Sequence, residues 1–133
     1  MSPVDTRFDP TVATVQHLAD CVVVTAVGDI DAANAEAFAR CALARADASK
    51  PLIVDLIGLD FFGTAGFSAL HTLNVQCAGA RIRWAVAASG AVARVLRICD
   101  PAGALPVAET LAGARDLVEG DEVRLLQLVP EPR

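Results

Sequence analysis

The chain has 133 residues, 54% of them hydrophobic and 20% charged, with a formal charge of −5. At about 150 residues per domain this is one domain, long enough to bury roughly two-thirds of its unfolded surface, and too apolar to be disordered. The acidic balance removes the electrostatic attraction on which nonspecific phosphate binding depends, so a nucleic-acid protein is not expected. No apolar run approaches the roughly 20 residues of a membrane span, and the start (MSPVDTR) has neither a basic flank nor an apolar stretch of a secretory signal. A cytoplasmic protein is expected, with no membrane contact. Cys21, Cys41, Cys77 and Cys99 stand apart in apolar surroundings without a C-x-x-C pair, which predicts buried thiols rather than bridges.

Residues 1–10, with Pro3, Asp5, Asp9 and Pro10, read as a loose leader. The β-branched residues of 11–17 predict a strand, the turn Ala19-Asp20 follows, and the valine-rich run 21–27 completes a hairpin. Gly28-Asp29-Ile30-Asp31 is expected to break that strand, with Asp31 or Asn34 capping a helix over 32–47. Ala35, Phe38, Ala39, Ala42 and Ala46 form its inward stripe, and Glu36 and Arg40 pair on its wet side. The apolar run 51–57 (PLIVDLI) predicts a strand buried on both faces. Residues 58–66 read as a glycine-punctuated connection. A helix over 64–78 follows, with Phe67, Leu70, Leu73 and Cys77 on one face and Gly79 as its stop.

Residues 81–88 (RIRWAVAA) predict the next strand, 91–98 a helix and 105–108 a short extended segment. Thr110 caps a last helix with Leu111, Ala114, Leu117 and Val118 inward and Gly120 as its stop. Strands alternating with helices after a hairpin predict an α/β domain with a mostly parallel sheet and one antiparallel edge. The domain is expected over 11–120. The apolar tail 121–133 (DEVRLLQLVPEPR) is expected to pack back as an extra edge element, or else to serve as a homodimer or partner contact.

The chemistry for catalysis is thin. There is no G-x-S-x-G elbow, phosphate loop or dinucleotide fingerprint. His17 and His71 have no ligand-like spacing to cysteine or carboxylate, so no metal is expected. Ser68 and His71 could touch across one helical turn but have no orienting acid. The sequence predicts neither an enzyme nor a cofactor. Arg81, Arg83, Arg94 and Arg97 read as surface or strand-end charges without a role.

The stretch Leu59-Asp60-Phe61-Phe62-Gly63-Thr64-Ala65-Gly66-Phe67 stands out. It ends an extended region and starts a helix at a hydroxyl, where open amides and a positive dipole end can cap with that hydroxyl or hold a phosphate attached to it. Thr64 as a plain helix cap, with Gly66 only permitting close packing, is one reading of these residues. Asp29, Asp31 and Asp60 are expected near Thr64, either as ordinary caps and loop acids or as charges that would repel an added phosphate. Ser68, His71, Thr72 and Val75 lie on the outward side of the same helix, a mixed surface suited to a protein partner.

Three segments together resemble the STAS domain family, of the anti-sigma factor antagonist type. Val27-Gly28-Asp29-Ile30-Asp31 is similar to the family's Gly-Glu-Leu-Asp turn. Ile53-Val54-Asp55-Leu56-Ile57-Gly58-Leu59 is similar to its apolar strand with an embedded aspartate. Phe62-Gly63-Thr64-Ala65-Gly66-Phe67 lies where the family has Asp-Ser-Ser-Gly between hydrophobic residues. The resemblance implies a STAS-like, mostly parallel sheet of four to five strands with an N-terminal hairpin and four helices. It implies an anti-anti-sigma factor that binds an anti-sigma factor of serine/threonine kinase-like type and frees the sigma factor.

In the family the first serine is phosphorylated by the partner kinase, which releases the antagonist. Thr64 takes that position, while Gly63 replaces the usual aspartate and Ala65 the second serine. With Thr64 as the switch, the implied partner-binding set is Asp29, Asp31, Asn34, Asp60, Gly63, Ala65, Gly66, Ser68, His71, Thr72 and Val75. Alternatives compatible with the same residues are a STAS accessory subunit of an ABC-type lipid transporter and a non-phosphorylated ligand-sensing STAS module.

Overall fold

The computed structural model describes the backbone of residues 12–128 and the side chains of 13–119. The leader 1–10 and the last five residues of the tail lie outside the described residues. In chain order the elements are β1 (Val12–His17), β2 (Val22–Ile30), α1 (Ala35–Arg45), β3 (Leu52–Asp55), β4 (Leu59–Phe62), α2 (Thr64–Ala80), β5 (Trp84–Ala87), α3 (Gly90–Cys99), β6 (Val107–Ala108) and α4 (Leu111–Leu128). The sheet runs β1-β2-β3-β5-β6, and β4 pairs with β2 beyond the end of β3.

β2 organises the sheet. Its valines pair antiparallel with β1 from His17↔Val22 to Val12↔Val27. On its other flank β2 pairs parallel with β3 from Val22↔Leu52 to Thr25↔Asp55. Further along that flank it pairs parallel with β4, Asp29 facing Phe61 and Ile30 facing Phe62. Gly28 does not end the strand as the sequence suggested. It takes φ 93°, open to glycine at no steric cost, and the register shifts there, leaving Asp60 as an extra residue in β4. β4 itself falls in the stretch read as a connection, because four residues between glycines carry too little periodicity to register as a strand.

Successive strand residues point to opposite faces, and both faces are buried over most of the sheet. On one face Val22, Val24, Ala26, Leu52, Val54 and Val86 meet Phe38 of α1, Leu70 and Leu73 of α2 and Val92 of α3. On the other, Val23, Ile53, Ala85 and Ala87 meet Ala114 and Val118 of α4. The inward stripes expected for α1 and α2 are the buried ones, apart from a half-buried Phe67 and a half-buried Ala46, which stands just past the end of α1 as its C-cap. In α4 Leu111 is half-buried and Leu117 remains 36% exposed.

Helix ends depart from expectation at two glycines. α2 passes Gly79, and Arg81 takes the left-handed turn at φ 60° while Ile82 N–H donates to the Cys77 carbonyl at 2.8 Å. α4 starts at Thr110 as expected, whose Oγ1 accepts the Gly113 N–H at 2.9 Å. It then runs through Gly120 to Leu128, so residues 121–128 continue a helix instead of forming a separate edge element. At the far end of the sheet Arg115 pairs with Asp20 at 2.6 Å and holds its carboxyl below the usual range. Arg83 is also structural, donating to the Val118 carbonyl at 3.3 Å.

All four cysteines are free, Cys21 and Cys77 buried and Cys41 and Cys99 half-buried. Burial pushes the Cys77 thiol up to about 11 and raises those of Cys21 and Cys41. A thiol reagent applied to the folded protein is expected to modify Cys41 and Cys99 well before Cys21 and Cys77, and denaturant should erase the difference; mass spectrometry of the labelled chain checks both.

Candidate functional site

The end of the sheet where β2 and β4 finish and α1 and α2 begin gathers most of the residues singled out in the sequence. Gly63 N–H donates to the Ile30 carbonyl at 3.0 Å, which joins the start of α2 to the end of β2. Asn34 fixes the neighbouring turn from beneath. Its Oδ1 accepts the Asp31 N–H and its Nδ2 donates to the Asp29 carbonyl, both at 2.9 Å, with no exposure to solvent. Asp31 Oδ1 accepts the Ala33 N–H at 2.9 Å, an Asx turn. Asn34 stands at the cap position of α1, but its side chain is turned back into the loop and makes no cap bond to the helix. Truncating it removes both bonds and leaves a gap where a fully buried side chain stood, so Asn34→Ala is expected to cost about 1–3 kcal/mol, read from urea unfolding.

Thr64 is exposed and is the first residue of α2; the cap position belongs to Gly63, and no side-chain cap bond closes this helix end. The reading of Thr64 as a cap is therefore corrected: the cap position falls one residue earlier, and the exposed Thr64 side chain makes no cap bond. Gly66 N–H turns back to the Gly63 carbonyl at 2.9 Å, so the amides of Thr64 and Ala65 are the first-turn donors without a backbone partner.

The two glycines of this turn differ. A Cβ on Gly66 would come within 2.7 Å of Phe62 Cδ1 and closer still to Cε1, so the ring of Phe62 lies directly against the helix backbone. Gly63 has φ −90° and ψ −179°, ordinary extended backbone, and a Cβ there would meet the edge of Phe61 at 3.3 Å and the Ile30 carbonyl oxygen at 3.9 Å. The missing aspartate at 63 is thus a chemical difference and not a demand of the backbone.

Asp29 and Asp60 are exposed and Asp31 half-buried at this end, as expected from the sequence. Neither Leu18–Ala39 nor Pro51–Ala80 contains a lysine or arginine, so β2, β4 and the start of α2 supply only negative charge. Along α2, Ser68, His71, Thr72 and Val75 are exposed, Val75 by 55%. His71 sits by the Phe67 ring, centroids 6.4 Å apart, and no hydrogen bond joins it to Ser68 among the described residues. Asn34 and Gly66 are buried, so these two members of the expected contact set shape the surface from within.

Two features of the site went unread in the sequence. A groove of about 410 Å³ runs between α1 and α2, with Ala35, Ala39, Ala65 and Ala69 in its walls and Ser68 and Thr72 at its rim. Its sequence signal is the alanine stripe, which reads equally well as core. The second is a group of exposed apolar side chains, Val27, Ile57 and Phe61, around the end of the sheet. No cluster of three or more metal-ligating side chains occurs among the described residues, and no helix among them is long and apolar enough to cross a membrane.

A sheet of this order, with its hairpin edge and the β4–α2 turn, is matched over residues 12–114 by the model of the STAS domain. The chain belongs to the STAS domain family. Its relatives include the anti-sigma-F factor antagonist RsfA of Mycobacterium tuberculosis, 36% identical over 107 residues, covering 77% of this chain and 83% of that protein. Osmosensory protein A of the same species is 39% identical over 84 residues, covering 63% of this chain and 52% of the relative. Among solved structures, the crystal structure of an anti-sigma factor antagonist from Mycobacterium paratuberculosis superposes with a TM-score of 0.74 at 26% identity, over 84% of this chain and 96% of that one. STAS architecture therefore extends over the whole region that carries Thr64, and the sheet has six strands where four to five were expected, the addition being β4.

Proposed function

We propose that this STAS protein is an anti-anti-sigma factor: in the cytoplasm it binds a kinase-like anti-sigma factor and so frees the sigma factor. It acts by binding and not by catalysis, and phosphorylation of Thr64 switches the binding off. The relative named as an anti-sigma factor antagonist, 36% identical over 77% of the chain, carries the first part of this reading. The exposed position of Thr64, first in α2 and at the acidic end of the sheet, supports the second.

The open first-turn amides and the helix dipole would hold a phosphate on Thr64. The same phosphate brings about −1.5 to −2 charges to a surface already bearing Asp29, Asp31 and Asp60. Stable on the free protein, it is repelled at any partner surface that approaches with acids or that needs this end desolvated. The contact surface comprises Asp29, Asp31, Asp60, Gly63 and Ala65 with Ser68, His71, Thr72 and Val75 of α2.

Titration calorimetry against each anti-sigma factor of the source genome, purified singly, tests this reading with the wild type, Thr64→Ala and Thr64→Glu. Wild type and Thr64→Ala should bind one of them, and incubation of that pair with ATP should place phosphate on Thr64 of the wild type only. Absence of binding to every one of them would overturn the antagonist role. Phosphate found elsewhere, with Thr64→Glu binding as wild type does, would overturn the switch alone.

A further inference from the structure

The turn into α2 carries none of the side chains that usually close the start of a helix. Its cap residue is Gly63, no side chain makes a cap bond, and the first turn holds no acid. The Gly66 N–H takes the Gly63 carbonyl, which leaves the amides of Thr64 and Ala65 without a backbone partner. Nothing in the backbone requires glycine at 63. Its φ of −90° and ψ of −179° suit any residue, and its N–H bond to the Ile30 carbonyl survives any substitution but proline. A Cβ would stand 3.3 Å and 3.5 Å from two atoms at the edge of the Phe61 ring. That ring is 51% exposed, so it can give the few tenths of an ångström that the new group needs. Aspartate or asparagine therefore fits the cap position, and its side-chain oxygen would accept the N–H of the second helical residue, Ala65.

We infer that Gly63 is a positioning residue of the Thr64 switch: carrying no cap group itself, it leaves the Ala65 amide to a phosphate on Thr64, and phosphorylation then supplies the cap that α2 lacks. The inference rests on the reading of Thr64 as the phosphorylated residue and adds what its neighbour does. Two effects compete at the modified residue. The positive end of the helix and an open amide one residue away favour the new charge. The exposed carboxylates of Asp29 and Asp60 and the half-buried one of Asp31 oppose it. Exposed charges act through solvent, where at 0.15 M salt the Debye length is about 8 Å, so the local amide outweighs them. Aspartate at 63 reverses the order, because the amide is then taken and a negative group stands on the adjacent residue. Asparagine takes the amide without the charge, and alanine fills the place beside Phe61 with neither. Residue 63 thus decides whether a phosphate on Thr64 firms or loosens the start of α2.

The test is thermal unfolding of the full chain as wild type, Gly63→Ala, Gly63→Asn and Gly63→Asp, each with and without Thr64→Glu, at about 0.15 M salt. Thr64→Glu should raise Tm by about 1–4 °C in the wild type and in Gly63→Ala. It should change Tm little in Gly63→Asn and lower it in Gly63→Asp, a change of sign that a purely structural role for Gly63 would not produce. Wild type and Gly63→Asp phosphorylated on Thr64, with the position checked by mass spectrometry, should differ in the same direction and by more, since a phosphate carries about −1.5 to −2 charges. A Tm shift on Thr64→Glu that agrees within about 1 °C in all four backgrounds overturns the role of Gly63. So does a Gly63→Ala that behaves as Gly63→Asp does, which would assign the effect to displacement of the Phe61 ring. The glutamate series needs no kinase, so the two readings fail separately. A flat series with Thr64 phosphorylated removes only the role of Gly63. Thr64 left unmodified by every anti-sigma factor removes the switch, and this inference with it.

Discussion

Alanine at position 66 is expected to lower the unfolding free energy by about 1–3 kcal/mol, although alanine favours a helix over glycine by about 1 kcal/mol. Its methyl group would stand within 2.7 Å of Phe62 Cδ1, inside any attainable contact distance. Phe62 is 3% exposed and packed in the main core, so its ring has no open space to swing into, and α2 must move away from β4 instead. That distinguishes the site from Gly79 on the same helix, where a Cβ would meet nothing within 4 Å. Shortening the ring tests the cause. In a Phe62→Leu background, itself less stable through lost burial, the further change Gly66→Ala should be neutral or stabilising. The two substitutions then couple by more than about 1 kcal/mol in urea unfolding. A wild-type background in which Gly66→Ala is stabilising would sink the argument.

Under the proposed antagonist role, Thr64→Glu should weaken binding to the anti-sigma factor about tenfold or more, some 1.4 kcal/mol, while slightly raising the stability of the free protein. The two effects have opposite signs for separate reasons. A carboxylate in the first turn of a helix is favoured by about 0.3–1 kcal/mol, and Thr64 is the first residue of α2. The same charge joins Asp29, Asp31 and Asp60 at an end of the molecule where neither the strands nor the start of α2 bring a cation. A phosphate carries more charge than glutamate, so the variant gives a lower limit for the phosphorylated form. Joint measurement of Tm and affinity separates this mechanism from misfolding, which would lower both. Thr64→Ala, with neither charge nor hydroxyl, should bind as the wild type does and resist phosphorylation.

Strong, simple signals made most of the fold readable. The apolar run 51–57 contains the doubly buried β3, and the stripe of Phe38, Ala39 and Ala42 is the buried side of α1. What escaped depended on contacts distant in sequence. β4 is a strand because β2 extends past Gly28 to receive it, and Gly28 alone reads as a breaker. Gly79 and Gly120 read as stops, yet both helices pass them, since one glycine costs a helix only about 1 kcal/mol. At the site, the acids and Thr64 were legible because turn chemistry is local. The inward turn of Asn34, the open face around Phe61 and the groove between α1 and α2 were not, because each depends on what a neighbouring element covers or leaves bare.

β3 and β4 lie end to end beside the same strand, separated by only residues 56–58. Bringing β3 to β2 closes the long α1 crossover once; β4 then needs no second closure, since its tether is three residues long and adds little loop entropy. The end of the molecule that carries Thr64 is therefore expected to assemble in the same closing step as the core, together with the sheet, instead of as a late, separately ordered loop.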